Sequence, residues 1–263
     1  MDIIKTIILG IIQGLTEWLP ISSTGHLKIA EHFMNEKIPL LFDFILHIGT
    51  LIVVLLFFRE DIKNILSALV HLDFKTEHGK VVPLIIVGSV PAGIIGIILN
   101  EPVNTDFQSI LPIAVAFVLC GIMLYFVKFA HEKTDAIGYS AAVLVGVAEG
   151  IAIIPGISRS GATIAVALLL GIKREKAFRF SFLLSIPAIL SVLGYNFVKR
   201  SGELASAGLG WPEILTGVIV AMFIGYFALK LLWKILGKKK FHLFAFYCWL
   251  LGTALIVLSL RGF

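Results

Sequence analysis

Six uninterrupted apolar stretches, near 42–58, 82–99, 110–128, 180–198, 212–230 and 242–260, dominate this chain. Each carries close to the roughly 20 apolar residues that a helix needs to cross a bilayer. In hydrocarbon, backbone N–H and C=O groups must be satisfied internally, so stretches of this kind fold as helices. The rest of the 263 residues points the same way: hydrophobic types make up 58%, charged types 15%, and mean hydropathy is +0.98. A soluble domain of average composition has about 25% charged residues. The sequence therefore describes an all-α polytopic membrane protein, and excludes a disordered chain, a disulfide scaffold and a cytosolic enzyme. The net charge of +5 does not imply nucleic acid, because Lys and Arg fall in short runs between apolar blocks. Cys120 and Cys248 lie inside apolar stretches and read as small buried hydrophobes. The first apolar stretch runs into Gln13, Glu17 and Pro20 without a small-residue cleavage site, which argues against a cleavable signal peptide.

Two further apolar stretches, 3–30 and 137–172, are broken halfway, by LPISSTGH at 19–26 and IPGISRSGAT at 154–163. Proline and glycine there should stop one helix and let another begin. Backbone freed in this way is tolerated at membrane depth only where it is buried in protein or lines a wet cavity. Both stretches read as re-entrant helical hairpins. The two halves of the chain also match each other. At a shift of 136, Gly10, Gln13, Gly14, Ile21, Ser22, Thr24 and Gly25 meet Gly146, Glu149, Gly150, Ile157, Ser158, Ser160 and Gly161. FDFILHIG at 42–49 meets FSFLLSIP at 180–187, and Gly88, Ala92 and Gly96 meet Gly217, Ala221 and Gly225, a spacing suited to close helix packing. The expectation is a single membrane domain of two repeats, 1–131 and 137–263, each with one hairpin and three spans. Three is odd, so the second repeat is inverted relative to the first, which places sites near the midplane between them.

Basic residues orient the chain. Segments 59–81, 128–137, 171–179 and 230–241 hold fifteen Lys and Arg, against six in 1–8, 27–41, 99–109, 199–211 and the C-terminus. The first group is expected on the cytoplasmic side. Both termini are then outside, the first hairpin entering from outside and the second from the cytoplasm.

Polar residues within the hairpins carry the functional signal. Gln13 and Glu17 are four apart and share a helix face. An intramembrane carboxylate is costly unless paired, so Glu17 is a functional candidate, the plainer alternative being a side chain that snorkels to the interface. The next turn, Pro20 to His26, adds Ser22, Ser23, Thr24 and an imidazole; helix capping explains one hydroxyl but not His26. In the second hairpin, Ser158, Arg159, Ser160 and Thr163 stand at a helix start, where free N–H groups attract anions and arginine offers a fork for two phosphate oxygens. A structural pair between Arg159 and Glu17 is the alternative, but it would not need the flanking hydroxyls. Glu149 reads equally as a second carboxylate of the site or as a packing residue. Asp43 and His47 read as a hydrogen-bonded pair or as support for the site; Ser181, Ser185 and Pro187 as a helix kink; and Lys238–Lys240 as a topology anchor or a contact for anionic membrane lipids.

Gln13-Gly14-Leu15-Thr16-Glu17 followed by LPISSTGH, with PGISRSGAT, FDFILHIGT and SFLLSIPA, resembles the bacterial undecaprenyl-diphosphatase family, also called bacitracin-resistance proteins, over essentially the whole chain. The resemblance implies hydrolysis of undecaprenyl diphosphate to the monophosphate and inorganic phosphate, recycling the lipid carrier of cell-wall synthesis. It also implies the bacterial cytoplasmic membrane, a site facing the outer side and a divalent metal, Mg2+ or Ca2+. The family's glutamate motif reads E/Q-x-x-x-E, and this chain takes Gln at 13, leaving Glu17 as the motif's one carboxylate. Glu17, Gln13 and Glu149 are the candidate metal positions.

The residues then divide by role. Arg159 with Ser22, Thr24, Ser158, Ser160 and Thr163 would hold phosphate oxygens and their developing charge. Ser23 is the candidate nucleophile, because Ser22 and Thr24 have hydroxyl counterparts in the second repeat whereas Ser23 faces Arg159. Glu17 and His26 would activate it; direct attack by water with His26 as base stays open. A flippase or transporter of a phosphorylated polyprenyl lipid is the rival reading, since inverted repeats with broken helices are also a transporter architecture. The oligomeric state is equally open, a homodimer being one arrangement.

Overall fold

Eleven α-helices hold most of the described residues, 2–35, 39–206 and 210–261 of a computed structural model. They are α1 (Ile3–Trp18), α2 (Ser23–Met34), α3 (Leu40–Phe57), α4 (Arg59–Val70), α5 (Val81–Thr105), α6 (Ile110–Phe126), α7 (Tyr139–Ile151), α8 (Arg159–Leu169), α9 (Arg174–Ser206), α10 (Trp211–Gly237) and α11 (Phe244–Leu260). No strand occurs among the described residues, only one isolated backbone bridge between Thr134 and Ile172. The chain is all-helical, as expected. The ends of both expected repeats, residue 1 and residues 262–263, lie outside the described residues, as do 36–38 and 207–209 of the expected outer segments.

Five helical segments are long and apolar enough to cross a membrane: Val81–Val103, Ile110–Phe129, Arg174–Lys199, Trp211–Gly237 and Phe241–Leu260. A sixth is reached if α3 and α4, bent by 79° at Phe58, are taken as one span. Several helices outrun the expected limits. α5 continues through Pro102 to Thr105, α9 begins at Arg174 and reaches Ser206, and α10 ends at Gly237. Hydropathy marks where apolar side chains stop, whereas backbone hydrogen bonding continues through polar residues. α4 was hidden for the same reason, its first turn being Arg59, Glu60 and Asp61. The bend before it is held by Phe58, which is buried and stacked on Phe182 with ring centroids 5.8 Å apart. Arg179 on α9 donates to Asp61 at 2.5 Å, fixing α4 against the bundle.

Both broken stretches are short helix pairs packed on each other, α1 on α2 and α7 on α8. Their outer packing is exchanged between halves: α1 lies chiefly against α10, and α7 against α5. Small residues make the contact. A Cβ at Gly14 would meet the Ala221 carbonyl oxygen at 2.6 Å, and one at Gly146 the Gly88 carbonyl oxygen at 2.0 Å. Gly96, matched with Gly225 on the sequence, departs from this pattern: a Cβ there would meet nothing within 4 Å. Phe178, Phe182, Trp18 and Trp233 form an aromatic seam through the core, with successive ring centroids 4.5–5.3 Å apart.

Candidate active site

The two helix breaks meet and satisfy each other. α1 ends at Trp18, leaving carbonyls without intrahelical partners. Ser160 donates to Trp18 O at 2.9 Å and Ser158 to Leu19 O at 3.5 Å. In return Ser22 Oγ accepts from Gly156 N at 3.0 Å, as well as from Gly25 N at 3.3 Å as the cap of α2. Ser158 caps α8 by accepting from Gly161 N at 3.1 Å. Ser22 takes φ 66°, a left-handed conformation unusual for a side chain with a Cβ, and Gly156 takes φ 100°. A Cβ at Gly156 would meet Ile113 O at 2.5 Å, so only glycine fits that turn. The cysteines join the same seam: Ser158 N points at Cys120 Sγ (3.5 Å), and Cys248 Sγ at Pro20 O (3.7 Å).

Part of the expected phosphate cradle is engaged within the protein itself. A hydroxyl has one proton to donate; Ser158 and Ser160 spend theirs on carbonyls of the first break, and both are buried. Thr163 donates to Arg159 O at 2.8 Å and contacts the Ser181 hydroxyl, so it braces α8 against α9. Ser22 Oγ accepts from two backbone amides and keeps its own proton to donate. Thr24 is half-buried and makes no hydrogen bond among the described residues.

Three of the expected catalytic side chains come together. Glu17 Oε1 pairs with Arg159 Nη2. Glu17 Oε2 accepts from Ser23 Oγ at 2.5 Å and from Gln13 Nε2 at 3.0 Å, and His47 Nε2 stands 3.4 Å away. The Arg159 guanidinium carbon lies 5.5 Å from the centre of the Trp18 ring, and its Nη1 is 3.7 Å from Glu149 Oε1. Glu17 and Glu149 are each about 6% exposed, Ser23 8%. Arg159 Nη1, both Glu149 carboxylate oxygens and Gln13 Oε1 are buried without a hydrogen-bond partner. Native interiors rarely leave such atoms unmet, so a buried cation and carboxylate in this state mark a place for a polar ligand.

His26 is the exception. Its Nδ1 meets Ser22 O at 2.7 Å and its Nε2 meets Tyr247 Oη at 2.7 Å, with the two rings stacked 5.8 Å apart. The tautomer that fits donates from Nδ1 and accepts at Nε2. Both ring nitrogens are thus engaged away from Ser23, and the expected His26–Ser23 proton shuttle is not formed here. Ser23 and His26 stand three residues apart on α2, but Ser23 donates to Glu17 of α1 whereas His26 is taken by Tyr247 of α11. The sequence pairs His47 with Asp43, and His47 does bond that residue, but through Asp43 O at 2.8 Å, leaving Nε2 for Glu17. Ser185 donates to Phe182 O inside α9, as expected for a helix with an internal Pro187. Sequence reasoning missed Trp18 and Tyr247. An aromatic within an apolar helix carries no signal until the partner cation or imidazole is placed beside it.

Among the described residues no group of three His, Cys, Asp or Glu side chains is disposed to hold a metal. The unmet oxygens of Glu149 and Gln13 are nonetheless hard donors, and Mg2+ commonly binds through one or two protein oxygens plus substrate phosphates.

A family model described as "Bacitracin resistance protein BacA" matches residues 6–254. A protein of Halothermothrix orenii named "Undecaprenyl-diphosphatase" is 42% identical over 267 residues, covering 98% of this chain and 99% of its own length. Proteins with the same name from Carboxydothermus hydrogenoformans (39%) and Methanosphaera stadtmanae (38%) match over 100% and 98% of this chain and 99% of each relative.

Proposed function

The chain belongs to the bacitracin resistance protein BacA family, and on that premise we propose that it is a multi-pass membrane phosphatase that hydrolyses undecaprenyl diphosphate to undecaprenyl phosphate and inorganic phosphate. Its substrate is a polyprenyl diphosphate lipid of the membrane. One observation carries the chemistry: a single buried carboxylate, Glu17, holds the Ser23 hydroxyl and the Arg159 guanidinium at once.

Phosphoryl transfer needs positioning and charge stabilisation above all. Arg159, whose Nη1 makes no hydrogen bond, binds terminal phosphate oxygens and stabilises their developing charge. Ser23 Oγ attacks the terminal phosphorus; its proton passes to Glu17 Oε2, and the bond from that phosphorus to the bridging oxygen breaks, releasing undecaprenyl phosphate. Glu17 hands that proton to the departing phosphate; ionised again, it takes a proton from water, whose oxygen attacks the phosphoserine, and inorganic phosphate leaves as the Ser23 oxygen takes the proton back. His26 acts from behind, holding Ser22 through its carbonyl and so the start of α2. Direct attack by water held on Glu17 is the remaining route. A divalent cation, Mg2+ or Ca2+, would be held through Glu149 and Gln13, whose oxygens are unmet, and would supply neutralisation of the diphosphate charge.

The finer architecture proposed is six spans and two re-entrant hairpins in an inverted repeat, oriented with the basic segments in the cytoplasm and the site open to the outer face of the bacterial cytoplasmic membrane. What supports it is the exchanged packing of α1 on α10 and α7 on α5, together with the charge asymmetry. The decisive experiment is phosphate release from undecaprenyl diphosphate by purified protein in detergent. Release there requires chemistry and cannot come from lipid transport, so its absence would favour a flippase.

A further inference from the structure

Three segments distant in sequence converge beyond the C-terminal end of α8: the turn after α6, the α8–α9 turn and the α10–α11 turn. Between them lies a cavity of about 290 Å³. Its polar wall is Lys128, His131, Arg174, Lys239 and His242, against one carboxylate, Glu132. Its floor is apolar and buried, formed by Leu168, Leu236 and Phe241. α8 spans eleven residues from Arg159, so the cavity is about 16 Å from the hairpin site along that helix.

The walls are fixed. Lys133 N and Thr134 N both donate to Gly171 O, at 2.7 and 3.0 Å, and Lys173 N donates to Thr134 O at 2.9 Å. Arg174 binds Glu132 through Nε at 2.7 Å and through Nη2, and reaches Leu236 O with Nη1 at 3.1 Å, tying the three segments together. Glu132 is thereby committed to Arg174. Lys128, His131, Lys239 and His242 have no hydrogen-bonded carboxylate among the described residues. Lys239 is held at φ 62°, a left-handed helix-end position usually given to glycine, and of the three consecutive lysines it alone lines the cavity. Outside the mouth the surface turns apolar: Phe126, Phe129, Leu243 and Phe246 are 47–58% exposed.

Two lysines without a hydrogen-bonded carboxylate and two imidazoles, above an apolar floor and beside an apolar rim, match a phosphate whose carrier has a hydrocarbon tail. We propose that this cavity is a phosphate-binding site, separate from the hairpin site, that takes the headgroup of an acidic phospholipid. It does not depend on the hydrolytic reading.

The test titrates the purified full chain in detergent with phosphatidylglycerol, phosphatidylcholine or inorganic phosphate, and counts bound molecules by native mass spectrometry. Phosphatidylglycerol should be retained and phosphatidylcholine lost. Lys128→Gln with Lys239→Gln should weaken retention about tenfold or more, at roughly fivefold per lysine. Lys238→Gln with Lys240→Gln, which removes as much charge outside the cavity, should leave retention within about twofold of the unaltered chain. Equal losses in the two pairs would assign the effect to diffuse surface charge and overturn the proposal, as would no loss in the first pair at an unchanged melting temperature. Retention of inorganic phosphate without phosphatidylglycerol would overturn the headgroup assignment. Arg159→Ala should leave phosphatidylglycerol retention intact; its loss there would place the lipid at the hairpin site instead.

Discussion

Ser23 Oγ donates to Glu17 Oε2 at 2.5 Å across the break that separates their helices, while the other oxygen of the same carboxylate pairs with Arg159 from the second half of the chain. Nucleophile, base and phosphate anchor thus share one group. Ser23→Ala should lower turnover by about 10³-fold or more, and Glu17→Gln by about 10²–10⁴-fold, with both proteins still inserting. Acid trapping followed by phosphopeptide mapping should find phosphate on the peptide containing 20–27. Normal turnover in Ser23→Ala would exclude the serine route and leave water as the nucleophile.

Arg159 meets Glu17 through Nη2, while Nη1, without a hydrogen bond, stands 3.7 Å from Glu149 Oε1. That division needs a planar fork. Arg159→Ala should cost about 10³-fold or more in kcat/KM, and Arg159→Lys should recover little of it, since an ammonium cannot serve both directions. A lysine variant turning over at a near-normal rate would sink the two-sided role.

His26 and Tyr247 form one unit through the Nε2–Oη contact. Tyr247→Phe should cost about 1 kcal/mol of transition-state stabilisation, the worth of one hydrogen bond. In a His26→Ala background the same change should cost almost nothing, because the partner is already gone. Full additivity in the steady-state kinetics of the four proteins would mean that Tyr247 does not act through His26.

Close backbone approach makes a stability prediction independent of chemistry. A methyl group at Gly146 would stand 2.0 Å from Gly88 O, whereas one at Gly96 would meet nothing within 4 Å. Gly146→Ala should therefore destabilise the protein by about 1–3 kcal/mol or more, as overpacking does. Gly96→Ala should be neutral or slightly stabilising. Thermal melts of the two variants in detergent compare them directly.

Orientation can be read chemically. With Cys120→Ala and Cys248→Ala as background, single cysteines at Glu101 and Thr105 should react with an impermeant thiol reagent added outside intact cells. Those at Lys75 and Lys240 should react only after permeabilisation; all four residues are exposed. Labelling of both pairs from one side would refute the proposed arrangement.

The linear chain by itself determined that this is a helical membrane protein with two broken apolar stretches, because bilayer length and hydropathy act locally, residue by residue. It also pointed to Glu17, Ser23 and Arg159, since a charge or hydroxyl inside an apolar stretch is conspicuous wherever the chain later goes. How those groups divide the work depends on contacts made in the folded chain. Ser158 and Ser160 read as phosphate ligands on the sequence, and the packing of one break on the other turns their protons to Leu19 O and Trp18 O. His26 looked like the serine's partner until α11 brought Tyr247 to its free nitrogen. Spacing along a helix says which residues share a face, but which face meets which neighbour is set by contacts between elements more than a hundred residues apart. A hydroxyl or imidazole with several eligible partners is assigned only when those contacts form.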